Sequence, residues 1–173
     1  NITISRFYDN YDGISINQAN NIYVKGNDMY LNEFGGVTLE NFTDGVIEEN
    51  NISYNKVMGL KLLDSSQNKL MHNEIIECSS QYLILDNSHH NNLTHNFFKE
   101  YEKETPSPSY LEKYPYTSIV NLYDSEFNSI SNNNLSSFTT MGYVLCNSHN
   151  NTFDNNNISA FTGGVVFFGN AYK

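Results

Sequence analysis

Arginine is almost missing from this sequence of 173 residues, in which Arg6 is the single example. Lys and Arg together number 9 against 19 Asp and Glu, so the formal net charge is −10. Nucleic acids and anionic membranes bind basic protein faces, and the composition therefore argues against both as partners. The shortage of arginine also argues against recognition of phosphate or carboxylate groups by forked guanidinium pairs.

Cysteines and long apolar runs are scarce as well. Cys78 and Cys146 form no CxxC motif, and the repeat described below places them at different points, which argues against a disulfide. The longest apolar run, Val165–Phe168, is far shorter than the about 20 residues that a transmembrane helix needs. No stretch sustains the 3.6-residue period of an amphipathic helix. The sequence therefore predicts neither a transmembrane segment nor a helical domain.

What the sequence does contain is a repeat of 23 residues. Each unit carries an apolar-x-apolar pair, which is strand periodicity. Two apolar columns in phase are Ile14, Val37, Leu60, Leu83, Val120, Tyr143, Val166 and Ile16, Leu39, Leu62, Leu85, Leu122, Leu145, Phe168. Short strands of this kind bury their faces only by stacking on the same strand one turn away. The pattern predicts an all-β fold, a right-handed single-stranded parallel β-helix (solenoid) of about seven coils of 23 residues.

A column of asparagines keeps the same spacing and marks a bend between two core positions. Its members are Asn27, Asn50, Asn73, Asn96, Asn133 and Asn156. Asn tolerates the left-handed backbone that a sharp bend often requires. A buried unpaired amide costs about 1–3 kcal/mol, whereas stacked amides can satisfy one another along a ladder. We predict a structural asparagine ladder at these residues.

Three other columns support bends at fixed points of the repeat. A second polar column, interpreted as further ladder residues, contains Gln18, Asn41, Asp64, Asn87, Asp124, Asn147 and Asn170. Beside it lie Ser65, Ser88, Ser125 and Ser148. A glycine column, for which we predict either positive φ or a close backbone approach, contains Gly13, Gly36, Gly59 and Gly142.

The repeat unit reads Asn/Asp-Ser-x-x-Asn-x-Ile/Leu-x-x-Asn-x-Ile/Phe, with its clearest copies at residues 87–98 and 124–135. This unit resembles the β-helix repeat of NosD-like and CASH (carbohydrate-binding and sugar hydrolase) domains over about residues 10–170. That family-wide set includes surface proteins, polysaccharide-active enzymes and accessory proteins for copper enzymes. The resemblance therefore implies the fold and leaves the activity open.

One insertion of 14 residues interrupts the repeat between Phe98 and Val120. We predict a single β-helix domain over residues 1–173, a segment of a longer solenoid, with an inserted loop at residues 99–118. Long loops in compact folds often bind ligands, although a tolerated surface insertion is the alternative. The candidate sugar-binding residues of this loop are Tyr101, Tyr110, Tyr114 and Tyr116.

The register predicts no catalytic set, because no carboxylate cluster has a basic side chain beside it. His72 and His95 are expected to stack outward on adjacent coils. Another outward row contains His89, Glu126 and His149, which are possible ligands of a divalent metal. The two histidine backbones of that row would lie ~9.6 Å apart, and a solvated polar face is the alternative.

These observations favour a non-catalytic module of an extracellular, cell-surface or periplasmic protein. Its predicted role is that of a scaffold, an adhesion module or a glycan-binding surface, with a glycan or a protein as partner. Stacking of its ends on flanking coils or on another chain is also expected. Two alternatives stay open: a polysaccharide lyase, hydrolase or epimerase, and a NosD-type accessory protein for copper-enzyme maturation. No cofactor is predicted apart from the divalent metal named above.

Overall fold

The computed structural model of the protein describes residues 1–100, 118–137, 140–160 and 162–169. All regular secondary structure in these ranges is β-strand. The first coils contain β1 (Ile2–Thr3), β2 (Arg6–Tyr8), β3 (Asp12–Asn20), β4 (Tyr23–Lys25), β5 (Asp28–Tyr30), β6 (Gly35–Thr43), β7 (Val46–Glu48), β8 (Asn51–Ser53), β9 (Met58–Leu63), β10 (Lys69–Met71), β11 (Glu74–Ile76) and β12 (Gln81–Asp86). The later coils contain β13 (Asn92–Thr94), β14 (Phe97–Lys99), β15 (Ser118–Tyr123), β16 (Ser129–Ser131), β17 (Asn134–Ser136), β18 (Met141–Cys146), β19 (Thr152–Asp154), β20 (Asn157–Ser159) and β21 (Val165–Phe168).

Every third strand belongs to the same sheet, which gives three parallel sheets of 7 strands each. Sheet A begins with β1 and β4, sheet B with β2 and β5, and sheet C with β3 and β6. Within sheet A, Leu70 is in register with Ile47 on one side and with Leu93 on the other. The predicted parallel β-helix is therefore confirmed, with six steps between the first and the last strand of each sheet.

The core is a narrow stack of aliphatic and aromatic columns between the three sheets. Leu39, Leu62 and Leu85 follow one another at 0 % exposure. The apolar surface removed from water supplies the main favourable energy of such a stack. Because each coil buries its apolar side chains against its neighbours, stability depends on contacts between coils.

The predicted asparagine ladder is confirmed, and its hydrogen bonds can be followed from coil to coil. The Oδ1 atom of Asn73 accepts hydrogen bonds from the backbone N–H and the Nδ2–H of Asn50, at 3.1 and 2.9 Å. Its Nδ2 group donates to Asn96 Oδ1 at 3.0 Å and to the Ile47 carbonyl at 2.8 Å. Each buried amide in the row is thus satisfied by its neighbours.

The structure contains further ladders at the other corners of the coil. A second amide ladder, which the sequence analysis did not identify, connects Asn68, Asn91, Asn128 and Asn151. In a serine ladder, the backbone N–H of Ser65 donates to Ser88 Oγ at 3.1 Å. A short third amide ladder joins Asn32 to Asn55 at 2.9 Å. In this column Cys78 takes the next place and is buried.

The position of the left-handed residues differs from the prediction. Positive φ occurs one residue before the ladder, as at His72 (54°) and His95 (55°), and not at Asn73 or Asn96. The second polar column also has positive φ, for example 48° at Asn87. Its described side chains are exposed, and Asn87 Nδ2–H donates to Asp64 Oδ1 of the preceding coil at 2.6 Å. A left-handed residue turns the chain sharply, which aims the side chain of a following residue into the coil.

For the glycine column the close-approach alternative is correct. Positive-φ glycines occur at Gly26 and Gly169 instead. A Cβ atom at Gly59 would lie 2.5 Å from Ile75 Cγ2 and 2.5 Å from the Tyr82 carbonyl oxygen. The absence of a side chain therefore lets one corner of the coil pack against the next.

The end coils depart from the 23-residue step. In the last coil Tyr143 is in register with Val165, and Leu145 with Phe167, so the predicted partners Val166 and Phe168 are wrong by one residue. The connection from β20 to β21 is one residue shorter than the connection from β17 to β18. At the other end, Ile2 is in register with Val24, which is a 22-residue step and explains why the repeat is weak there.

The predicted inserted loop lies almost wholly outside the described residues. Its first and last residues, Lys99 and Ser118, belong to β14 and β15. Across the insertion Leu83 is in register with Val120, so the coil resumes in phase. No helix in the described ranges is long and apolar enough to cross a membrane.

Replacement of Asn73 by Ala tests the ladder. The change leaves the Asn50 donors and the Ile47 carbonyl without partners in a buried site, so we expect the free energy of unfolding to fall by about 1–3 kcal/mol for each unpaired group. Urea unfolding measured by circular dichroism reports the change. Asn92→Ala, at an exposed position of the adjoining sheet A strand, is the matched control and should stay within about 0.5 kcal/mol of the parent. Equal effects of the two substitutions would contradict the role of the ladder.

Gly59→Ala tests the close approach between coils. A methyl group here meets Tyr82 backbone at 2.5 Å, so we expect a loss of about 1–3 kcal/mol in unfolding free energy from overpacking. Gly164→Ala is the control, because its Cβ would meet only Ile158 Cγ2 at 3.9 Å. If both variants had the same melting temperature as the parent protein, the backbone around Gly59 would be able to accommodate the methyl group, and the prediction would be wrong.

Candidate functional site

The outward side of sheet C, called face C below, carries polar side chains from successive coils. Thr38 lies between the core positions Val37 and Leu39 and therefore points away from the core. Lys61 is its partner one coil later in the register. Asp12, on the first strand of this sheet, lies close enough for both side chains to act on its carboxyl group.

Burial raises the pKa of Asp12 above its ordinary value, and this is the largest influence on the group. The Gly35 backbone N–H, the Thr38 hydroxyl and the Lys61 ammonium act in the opposite direction. Apart from this action of the Thr38 hydroxyl on the Asp12 carboxyl group, Asp12 Oδ1 and Thr38 Oγ1 are buried atoms with no hydrogen-bond partner among the described residues. Buried polar atoms in native proteins are usually fully paired, so two incompletely paired atoms on an outward face indicate a place where a ligand can donate hydrogen bonds.

An aromatic pair borders these polar groups. The rings of Tyr11 and Phe34 stack with their centroids 5.2 Å apart and their planes within 3°. Each ring immediately precedes a strand of sheet C, and Tyr11 is 68 % exposed. An exposed aromatic ring next to a few oriented polar groups is the usual lining of a site for a ligand with both apolar and hydroxyl surfaces. We call Tyr11, Asp12, Phe34, Thr38 and Lys61 the polar–aromatic site.

The polar–aromatic site lies at the accessible end of face C. Asn17 and Glu40, on the neighbouring outward column, are joined by a hydrogen bond of 3.3 Å at the surface. Farther along the solenoid, Ile84 and Asn121 occupy outward positions but are 0 % exposed. Face C is therefore covered at these positions, whereas Thr38 and Lys61 of the earlier coils are partly exposed.

The sequence analysis missed this site. Its signal was the pair Tyr11 and Phe34, which are 23 residues apart and stand directly before two strands of the same sheet. The tyrosines that it proposed instead, Tyr101, Tyr110, Tyr114 and Tyr116, lie outside the described residues. Their role in ligand binding stays a prediction.

The predicted metal row is brought together only in part. His149 Nε2 lies 2.6 Å from Glu126 Oε1. The Glu126 backbone N–H donates to His89 Nδ1 at 3.1 Å, while His89 Nε2 lies 3.2 Å from Asn87 Oδ1. The second imidazole is thus engaged away from the Glu126 carboxylate. Within the described ranges, no three or more His, Cys, Asp or Glu side chains are grouped as a metal site requires.

His72 and His95 do meet, as the register predicts. Their rings stack on adjacent coils with centroids 5.1 Å apart and planes within 25°.

Neither cysteine is in a disulfide. Burial raises the pKa of the Cys78 thiol to about 12, so this group is held as an inert thiol in the core.

The fold and face C define the class of protein: a parallel β-helix protein with a polar and aromatic patch on sheet C. The chain belongs to the NosD family, since residues 1–118 match the family described as "Periplasmic copper-binding protein (NosD)". The resemblance seen in the repeat is thereby confirmed. None of the curated proteins matches the sequence.

Solved structures of polysaccharide-active enzymes share the fold. A double mutant of the periplasmic alginate epimerase AlgG superposes with a TM-score of 0.76 at 21 % identity, over 89 % of this chain and 34 % of that one. A single mutant of the same epimerase gives a TM-score of 0.76 at 20 % identity, over 92 % of this chain and 37 % of that one. An alginate lyase from Paenibacillus sp. str. FPU-7 gives 0.51 at 9 % identity, over 94 % and 76 %. The chain spans about a third of the length of the epimerase, and identities this low show the fold alone.

The copper in the family's description can be compared with the donors present here. Imidazole and thioether groups suit copper ions. The imidazoles of His72 and His95 stack on each other, but the described residues group no third His, Cys, Asp or Glu side chain with them. The histidines of the row of His89, Glu126 and His149 are already hydrogen-bonded or ion-paired, so neither set fits the requirement of a copper ion.

Proposed function

We propose that the chain is a non-catalytic glycan-binding module of a periplasmic or cell-envelope β-helix protein, with the polar–aromatic site as its ligand site. One observation carries the proposal: the buried Asp12 Oδ1 and Thr38 Oγ1, which have no partner among the described residues other than each other, lie on the same outward face as the exposed ring of Tyr11. A sugar ring has an apolar C–H face that packs on an aromatic ring and hydroxyl groups that donate to such oxygens.

Charge narrows the class of glycan. The net charge of −10, together with Asp12 and Glu40 on face C, repels polyanions. Lys61 is the one cation that acts on Asp12. Alginate, the polysaccharide of the epimerase and the lyase that share this fold, is a polymer of uronic acids and is a poor match to this surface. The site therefore favours neutral or amino sugars.

Two observations support the periplasmic or cell-envelope location that we propose. The family's description is that of a periplasmic protein. The epimerase with the same fold is also periplasmic. A glycan-binding role suits that compartment, where cell-envelope polysaccharides are within reach.

Substitutions in the polar–aromatic site test glycan binding. We expect Tyr11→Ala and Thr38→Val each to weaken binding of a neutral or amino-sugar oligosaccharide by about 5- to 30-fold, because each removes a stacking face or an acceptor worth about 1–2 kcal/mol. Isothermal titration calorimetry, after a glycan array has selected the ligand, measures the affinity. Tyr54→Ala is the matched control, since Tyr54 is 56 % exposed at another corner.

A triple variant, Tyr110→Ala, Tyr114→Ala and Tyr116→Ala, separates the two candidate regions. Binding that survives this change but is lost in Tyr11→Ala assigns the ligand to face C. The reverse result would move the ligand to the predicted loop. An array without any binding oligosaccharide would remove the glycan-binding proposal altogether.

A second candidate function is an enzyme acting on a polysaccharide, and the raised pKa of Asp12 beside Lys61 favours it. A carboxyl group with a raised pKa next to a second titratable group is a frequent arrangement for proton transfer. Catalysis would need these groups to flank the reacting bond of the bound sugar.

Product analysis distinguishes the two candidates. Under the non-catalytic proposal, mass spectrometry of oligosaccharides incubated with the protein should show no new masses and no new reducing or unsaturated ends, and nuclear magnetic resonance no epimerised sugar. Asp12→Asn retains the shape of the site and serves as the matched variant. A product formed by the parent and absent with Asp12→Asn would establish the enzyme in place of the binding module.

A further inference from the structure

The outward side of sheet B, called face B below, carries a stacked pair of tyrosines on its first two strands. Tyr8 and Tyr30 are in register on β2 and β5, and their rings stack with centroids 5.3 Å apart and planes within 17°. Each follows a residue that packs on the core, Phe7 or Met29, so both tyrosines point outward. Tyr8 is 52 % exposed, and the pair therefore presents aromatic surface to solvent.

An ion pair lies beside the tyrosines on the same two strands. Arg6 and Asp28 are in register, and Arg6 Nε lies 3.3 Å from Asp28 Oδ2. Their side chains are 74 % and 41 % exposed. A guanidinium group has five N–H donors, and a carboxylate accepts hydrogen bonds at two oxygens. This contact uses one donor and one oxygen, so the pair has further donors and acceptors to offer a ligand.

The four side chains form a block that is two strands wide, with the stack in one half and the ion pair in the other. Neighbouring strands lie about 4.8 Å apart, and residues i and i+2 of one strand about 6.8 Å apart. A single sugar ring has a similar footprint. Its C–H face packs on aromatic surface, and its adjacent hydroxyl groups both donate and accept hydrogen bonds. The face B site is defined as Arg6, Tyr8, Asp28 and Tyr30.

The short third amide ladder fixes the backbone of this site. Asn32 Oδ1 accepts a hydrogen bond from the backbone N–H of Asn10 at 3.1 Å, and Asn32 Nδ2 donates to the Phe7 carbonyl at 3.2 Å. Asn10 Nδ2 also donates to the Tyr8 carbonyl at 3.0 Å. The strand that carries half of the face B site is thus held in position before a ligand binds, which reduces the entropy lost on binding.

The charges around the face B site favour a neutral ligand. The guanidinium of Arg6 is balanced by Asp28, and the exposed Asp9 directly follows Tyr8. In a chain of net charge −10, a polyanion gains little from one guanidinium that is already paired. Two adjacent hydroxyl groups match the pair better, because one can accept from the guanidinium while the other donates to the carboxylate.

We propose that the face B site is a second glycan site, which binds a neutral sugar through adjacent hydroxyl groups. The class of ligand rests on the proposed function, whereas the site shares no residue with the polar–aromatic site. Faces B and C belong to different sheets and are separated by the bend that follows β2. One protein chain thus holds a glycan on each of two faces, which makes the module bivalent and strengthens its attachment to a polysaccharide.

Nuclear magnetic resonance of the isotopically labelled full chain tests the site, with maltotriose, cellotriose, mannotriose and triacetylchitotriose as neutral probes and trigalacturonic acid as the anionic one. We expect at least one neutral probe to shift the backbone amides of β2 and β5 saturably, and the anionic probe to leave them unchanged. Tyr8→Ala should weaken this binding by about 5- to 10-fold, and Arg6→Gln by about 10-fold or more. Phe127→Ala is the matched control, since Phe127 is 49 % exposed and stacks on His90 at 5.1 Å at another corner.

The position of the shifted amides distinguishes this proposal from the proposed function. Shifts confined to β3, β6 and β9 overturn the face B site and leave the polar–aromatic site in place. Shifts confined to β2 and β5 support the face B site and remove the other one. If none of the four neutral probes shifts either set of amides, both proposals fail.

Self-association is the competing use of an exposed aromatic surface. Sedimentation equilibrium of the parent chain should give the monomer mass at the concentrations used for the titrations. A dimer that is lost in Tyr8→Ala would assign face B to a second copy of the chain and overturn the glycan site. Circular dichroism of each variant should match that of the parent, because the substituted side chains are exposed.

Discussion

The hydrogen bonds between buried asparagines of successive coils are the interaction on which the rest of the structure depends. Asn73 receives two hydrogen bonds from Asn50 and gives one to Asn96 and one to the Ile47 carbonyl. A bend in a β-helix turns backbone groups away from the sheets, and an unpaired buried group costs about 1–3 kcal/mol. The ladder supplies the missing partners, and it does so only when every coil keeps the same register.

That constraint has a consequence for the surface. Because the ladder residue must point inward, the left-handed residue before it is held at the outer corner, as at His72 and His95. In this conformation a non-glycine residue is destabilised by about 1–2 kcal/mol through steric contacts. Because the conformation repeats in each coil, it places a column of side chains in fixed, parallel orientation along the solenoid.

The candidate site in this fold is therefore assembled from residues of successive coils and not from a continuous stretch of the chain. Tyr11 and Phe34 stack across one coil, and Asp12 acts together with Thr38 and Lys61 from the next two. Each coil contributes only one or two of these side chains to the polar–aromatic site. The repeat converts a sparse linear pattern into a continuous face, which explains how a sequence without a recognisable catalytic motif can carry a defined polar surface.

The repeat alone was sufficient to predict the parallel β-helix, the stacked leucines and the ladder of Asn50, Asn73 and Asn96, because a period of 23 residues with strand alternation has few other physical solutions. It was less informative about backbone angles. An asparagine at a bend suits both a left-handed residue and a buried ladder residue, and only the three-dimensional corner shows that the ladder takes Asn73 while His72 adopts the positive φ.

The sequence by itself determined which residues share a column, and hence that His72 would lie over His95. Only the tertiary structure decided which columns are open, covered or unsatisfied. Asp12 Oδ1 and Thr38 Oγ1 have no partner among the described residues other than each other, and Ile84 is covered although it points outward. The one-residue shift that puts Val165 over Tyr143 was also beyond the periodic pattern. The physical reason is that register follows from local periodicity, whereas burial and hydrogen-bond satisfaction depend on everything that packs around a position.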